Sequence, residues 1–95
     1  RTGEGENHMI SKAITITNDT GLHARPAAVF VNTATKFKSE IMVRKGEKQV
    51  NAKSILAVLS LGITKGSDIV ISVQGSDEEE AMGSLTELIE SNFNE

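Results

Sequence analysis

Apolar residues recur along this chain with two alternating periods. Ile10, Ile14 and Ile16 fall on one parity, with Lys12, Thr15 and Thr17 in the gaps, and Asn18-Asp19-Thr20-Gly21 ends the run. That is the pattern of a half-buried strand closed by turn residues. From Pro26 the period changes. Ala27, Phe30, Val31 and Ala34 lie at i, i+3, i+4 and i+7, a helical stripe that Phe37 continues. Ile41 and Val43 mark a second strand over Ser39 to Arg44. Lys45-Gly46-Glu47-Lys48 then makes a polar turn and Gln49-Val50-Asn51 a short third strand, together a hairpin.

A short helix is predicted from Ser54 to Leu61, stopped by Gly62 as a left-handed cap. Ile69, Ile71 and Val73 alternate strictly within Ser67 to Gln74, a fourth strand broken by Gly75. Ser76-Asp77-Glu78-Glu79 has the form of a capping box with acids in the first turn. The last helix is expected to bury Ala81, Leu85, Leu88 and Ile89 and to fray near Asn92. The order β-α-β-β-α-β-α points to an α+β open-faced β-sandwich, with helices on one face of a single sheet and the lysine- and threonine-bearing parities on the wet face.

At 95 residues there is room for one core. Residues 1–8 differ in character from the rest, and His8-Met9 resembles the junction left by a cloned start codon. They are read as a cloning remnant, and 9–95 as the single domain. The remnant holds one Arg and two Glu, which leaves −2 for the remainder of a chain whose total is −3. The absence of cysteine excludes disulfides, thiolate metal sites and a cysteine nucleophile, and one histidine outside the remnant is a poor basis for zinc. No metal or cofactor is expected. An acidic balance with three Phe and no Trp or Tyr argues against direct nucleic-acid binding. No apolar run approaches the roughly 18 residues of a membrane span, and no signal-peptide pattern opens the domain, so a cytoplasmic protein with no membrane partner is expected.

The chemistry concentrates in Gly21-Leu22-His23-Ala24-Arg25-Pro26-Ala27-Ala28. Here a histidine directly precedes a helix start, with an arginine two residues later and the chain's only proline after that. Unpaired N–H groups and the positive end of the helix dipole make such a start a seat for an anion. An imidazole beside it is a nucleophile next to a phosphate-sized pocket, so the pattern suggests a phosphorylatable histidine. Histidine is also tolerated at helix starts for no chemical reason, and first-turn arginines are commonly just solvated. The proline suits the first turn through its fixed φ and missing N–H, and Leu22 with Phe30 could clasp this end of the helix.

Ile55, Leu56, Val58, Leu59 and Leu61 crowd two turns of the short helix, more than one buried side can take. Some of this group, Leu56 and a neighbour, should form a partner-facing patch. Ser54 opens the helix after Lys53. A serine there is ordinarily a cap, but a phosphate at the same place would be held by the same N–H groups without melting the fold.

These residues resemble those of the HPr family, the histidine-containing phosphocarriers of the bacterial phosphoenolpyruvate:sugar phosphotransferase system. The resemblance runs from about Ile10 to Ser91, with Gly-Leu-His-Ala-Arg-Pro-Ala at 21–27 similar to the active-site signature and Lys-Ser-Ile-Leu-Ala-Val-Leu-Ser-Leu-Gly at 53–62 similar to the regulatory serine segment. It implies an antiparallel sheet of order 1-4-2-3 with three helices on one side. It also implies a carrier rather than an enzyme. His23 would accept a phosphoryl group on Nδ1 from enzyme I and pass it to enzyme IIA domains, with Arg25 and the backbone amides of Ala24 and Arg25 holding the phosphoryl oxygens. Ser54 would be the target of HPr kinase/phosphorylase, and the modified protein would act with the catabolite control regulator, as in low-GC Gram-positive bacteria. Ile55, Leu56 and Leu59 would be the docking patch of a protein that works as a monomer. Ala28 and Ala57 depart from the family, standing where relatives often carry a hydroxyl residue and glycine. A second class stays open at this point: a regulatory binding module that docks through the Ser54 helix while His23 is idle.

Overall fold

The computed structural model describes residues 9–94; the cloning-remnant reading of 1–8 lies outside them. In chain order the elements are β1 (Ile10–Thr15), α1 (Arg25–Ala34), β2 (Glu40–Lys45), β3 (Lys48–Asn51), α2 (Ile55–Ser60), β4 (Asp68–Gln74) and α3 (Glu78–Glu90), followed by a short turn (Asn92–Asn94). The four strands form one antiparallel sheet in the order β1-β4-β2-β3. The three helices share one face of it, as the element order predicts.

The alternation in β4 sets the core. Ile69, Ile71 and Val73 are buried, and their registered neighbours Ile41 and Val43 on β2 are fully buried beside them. Above this face sit Ala27, Phe30, Val31 and Ala34 from α1, Val58 from α2, and Ala81, Met82, Leu85, Leu88 and Ile89 from α3. Phe30 is completely enclosed; truncating a phenylalanine in such a setting costs about 3–5 kcal/mol.

The structure departs from the sequence reading at four places. Lys12 does not belong to the wet face: it pairs with Ile71 and shares the core-facing parity of Ile10 and Ile14. It is tolerated because β1 is an edge strand, where Lys12 stays exposed, and an inward-facing charge there discourages pairing with another chain. Phe37 continues the α1 stripe in sequence only, since the helix stops at Ala34 and Phe37 lies half-buried in the following turn.

The capping box at the start of α3 does not form as predicted. Asp77 is the N-cap but makes no capping hydrogen bond to its own helix. Its carboxylate instead accepts the N–H of Lys38 at 2.8 Å, the N–H of Ser39 at 2.9 Å and the Ser39 hydroxyl. Glu78 accepts the Gly75 N–H at 3.0 Å. These bonds strap the start of α3 to the start of β2. Finally, the chain does not fray at Asn92. Asn92 and Phe93 adopt φ values of 54° and 59°, which turn Phe93 into the core, and Asn92 accepts the Thr17 hydroxyl at 2.9 Å.

Candidate functional site

The site is built where two loops meet. The β1–α1 loop is laced to the α2–β4 loop by Ile16 N–H to the Ser67 carbonyl at 2.9 Å, Gly66 N–H to the Ile16 carbonyl at 2.7 Å and Leu22 N–H to the Ile63 carbonyl at 3.1 Å. Gly21 is required at the contact. Its φ is +63°, and a Cβ there would lie 2.4 Å from the Ile63 carbonyl oxygen. Leu22 is driven into the core at 1% exposure, like Phe30, so the chain must turn back outward at once. The next residue, His23, is exposed.

Ala24 completes the reversal as the N-cap of α1, with φ 53° and ψ −126° and no side-chain cap. For a residue with a Cβ this is a sparsely populated conformation, costing about 1–3 kcal/mol, and such strain clusters at working sites. The helix begins at Arg25, one residue earlier than the apolar period predicts, with Pro26 in its first turn. Its first backbone bond runs from the Ala28 N–H to the Ala24 carbonyl at 3.2 Å. The amides before it have no partner within the helix, and Pro26 has no N–H to offer, so Ala24, Arg25 and Ala27 carry the donors at this end. Arg25 is exposed, and among the described residues neither it nor His23 is engaged in a side-chain hydrogen bond or ion pair. An exposed imidazole, an uncommitted guanidinium and a helix start therefore occupy three consecutive positions. This arrangement can receive and stabilise an anionic group at the imidazole.

Ser54 caps α2 in an extended conformation, its Oγ accepting the Ala57 N–H at 3.3 Å, so the ordinary capping role is realised. Behind it, Lys53 donates from Nζ to the Phe37 carbonyl at 2.7 Å and from its backbone N–H to Asn51 Oδ1 at 2.8 Å. The helix ends at Ser60 with Gly62 in the left-handed conformation, φ +62°, as expected of a cap. Lys45 and Lys48 of the hairpin reach the end of α2, donating to the Gly62 carbonyl at 2.8 Å and the Ser60 carbonyl at 3.3 Å. Two ammonium groups thus neutralise the negative end of that helix. In sequence these lysines read only as turn residues.

The crowded apolar group divides as packing requires. Val58 is fully buried and Leu61 is 7% exposed, Leu59 is half-buried, and Ile55 and Leu56 stand out at 38% and 77%. The surface patch is therefore Ile55 and Leu56 with the flank of Leu59. His23 precedes the start of α1, and Lys53, before Ser54, is tied to the turn after its end. The start of α1 is tied to the residues after α2, and the end of α1 to the residue before Ser54, so the two helices run antiparallel. At 1.5 Å per residue, α1 itself is about 15 Å long.

Comparison with known proteins agrees with this architecture. The model of the family described as PTS HPr component phosphorylation site matches residues 10–91. The chain is 49% identical over 82 residues to the HPr-like protein Crh of Halalkalibacterium halodurans, covering 86% of this chain and 98% of that protein. It is 45% identical over 87 residues to the phosphocarrier protein HPr of Neisseria meningitidis, covering 92% and 98%. The crystal structure of HPr-C-His from Thermoanaerobacter tengcongensis superposes with a TM-score of 0.89 at 55% identity, covering 90% of this chain and 97% of that one. A match of this extent, on a 1-4-2-3 sheet under three helices with an exposed histidine at the first helix, establishes that the chain belongs to the HPr family, the small phosphocarriers, not enzymes, of the phosphotransferase system.

Proposed function

We propose that His23 is the residue that carries the phosphoryl group, taking it from phosphorylated enzyme I and handing it to enzyme IIA domains of sugar transporters. The observation that carries this reading is the exposed imidazole placed directly before the strained, side-chain-uncapped start of α1. In each transfer the Nδ1 lone pair of a neutral imidazole forms the N–P bond as the bond to the donor breaks. In the next step that N–P bond breaks toward the acceptor. Arg25 and the amides of Ala24 and Arg25 balance the charge on the phosphoryl oxygens, which is the main demand of phosphoryl transfer on a protein. The carrier works as a cytoplasmic monomer, because one exposed site must be offered to partners in turn.

Ile55 and Leu56, with Leu59, form the apolar contact for those partners. Ser54, at the head of the same helix, is the regulatory site for HPr kinase/phosphorylase, and the phosphorylated form is the one that engages the catabolite control regulator. A phosphate on Ser54 acts at the docking patch beside it, since Ser54 immediately precedes Ile55 and Leu56.

Incubation with enzyme I and phosphoenolpyruvate, followed by intact mass and acid-lability mapping, tests the carrier role. One acid-labile phosphate on His23 is expected. A second reading, a regulatory module with an idle histidine, draws on the likeness to Crh, the catabolite repression HPr of Bacillus subtilis; the presence of His23 argues against it. Absence of any phosphate, with the enzyme I shown active on another carrier, would overturn the carrier role and turn the assignment to that reading.

A further inference from the structure

Asn18 lies in the loop between β1 and α1 and is 3% exposed. Its Nδ2 donates to the Gly21 carbonyl at 2.9 Å and to Thr20 Oγ1 at 3.3 Å. The Gly21 N–H donates back to the Asn18 carbonyl at 3.2 Å. The turn is thus closed by both backbone and side chain. Asparagine commonly closes turns at the surface, where its remaining polar atoms stay hydrated. Here the whole side chain is taken inside, and its Oδ1 has no hydrogen-bond partner among the described residues. A buried unpaired acceptor carries a desolvation cost that an apolar residue would avoid, so the donor end must hold something that matters.

What it holds is the upstream flank of the site. A residue keeps a strained backbone only when its surroundings over-determine it. Downstream of Ala24, that constraint is α1 itself, with Pro26 in the first turn and the Ala28-to-Ala24 bond. Upstream, it is the Leu22–Ile63 bond together with the Asn18–Gly21 clasp. Without the side-chain half of the clasp, the Gly21 carbonyl loses its bond to Asn18, and the peptide that leads into Leu22 can tilt and carry the change on to Ala24.

We propose that Asn18 is a positioning residue for phosphoryl transfer: by pinning the Gly21 carbonyl it preserves the positive φ of Ala24 and so fixes the backbone that presents His23. The proposal rests on His23 being the phosphoryl acceptor. It assigns to an interior asparagine five positions upstream a function that shows in turnover and not in docking.

The test uses Asn18→Leu, of the same branching but bulkier and with no donor, and Asn18→Asp, which sets a carboxylate oxygen against the Gly21 carbonyl. Both are compared with the unaltered chain and repeated in an Ala24→Gly background. Asn18→Ser, which keeps a shorter donor, serves where either variant does not fold. In folded variants, kcat for phosphorylation by enzyme I is expected to fall by roughly tenfold or more with KM unchanged, and the HN–Hα coupling constant of Ala24, read by NMR, to leave its positive-φ value. In the Ala24→Gly background the further loss should largely vanish, because the conformation that Asn18 supports is no longer strained. An unchanged kcat, a loss confined to KM, an unmoved Ala24 coupling or simple multiplication of the two effects would overturn the proposal. If the unaltered chain takes no phosphate, the carrier reading fails, while the Ala24 coupling still decides whether Asn18 sets the loop.

Discussion

Lys53 donates its ammonium to the carbonyl of Phe37 at 2.7 Å, joining the turn after α1 to the residue before Ser54. With the Leu22–Ile63 bond at the other end, it pins two antiparallel helices whose starts carry the two residues proposed to take phosphate, His23 and Ser54. Removing this charged donor from a half-buried site should lower stability. Lys53→Met is expected to cost about 1 kcal/mol, read from the urea midpoint at constant m-value. No change would show that solvent replaces the bond without loss.

His23→Ala should abolish acid-labile phosphorylation completely. Since the side chain is exposed and engaged with no described residue, unfolding free energy should shift by less than about 0.5 kcal/mol. Residual relay to enzyme IIA in that variant would place the acceptor elsewhere.

Ala24→Gly should stabilise the fold. Glycine reaches positive φ without the Cβ penalty, so relief of strain outweighs the extra freedom of the unfolded chain, by about 1 kcal/mol. Thermal unfolding measures this directly. A lowered Tm would mean that the φ of 53° is not strained in its setting.

Ser54→Ala should cost about 0.5–1 kcal/mol through loss of the cap on Ala57. Ser54→Asp should raise KM for enzyme I while leaving kcat nearly unaltered, because the charge sits beside the proposed docking patch of Ile55 and Leu56. A fall in kcat at constant KM would instead show the charge acting on the chemical step.

Asp77 should contribute to acid stability. The Ser39 hydroxyl, then the Lys38 N–H, hold its carboxyl below the ordinary value of 3.8. A depressed folded-state pKa stabilises the fold above the unfolded value and loses that contribution as pH falls toward the folded one. Stability measured across pH 5 to 2 should therefore decline more steeply for the unaltered chain than for Asp77→Asn. Parallel curves would remove Asp77 from the account.

Much of this fold is legible in the sequence alone. Strict alternation at Ile69, Ile71 and Val73 identifies β4 because side chains on a strand change faces at every residue, and the same rule exposes the helical stripe of Ala27, Phe30, Val31 and Ala34. The histidine before Pro26 and the serine at the head of the short helix are legible for a related reason: caps and turns are local, and their signals lie within four residues of one another. The excess of apolar residues in α2 likewise announced a surface patch, since a helix on a sheet buries one side.

What could not be read depends on contacts distant in sequence. Lys12 interrupts an apolar parity, and only its place on an edge strand shows why that is tolerated. Asp77 has the spacing of a capping residue, yet its carboxylate serves backbone N–H groups up to 39 residues away. Phe93 turns into the core, Lys45 and Lys48 reach the end of α2, and Asn18 is carried inside to hold Gly21. By itself the sequence determined the elements, the faces they bury and the candidate residues for phosphate chemistry. Tertiary structure alone decided the strained backbone that presents His23 and the ties that hold α1 against α2, because both follow from loops clamped across the fold and not from the pattern of any one segment.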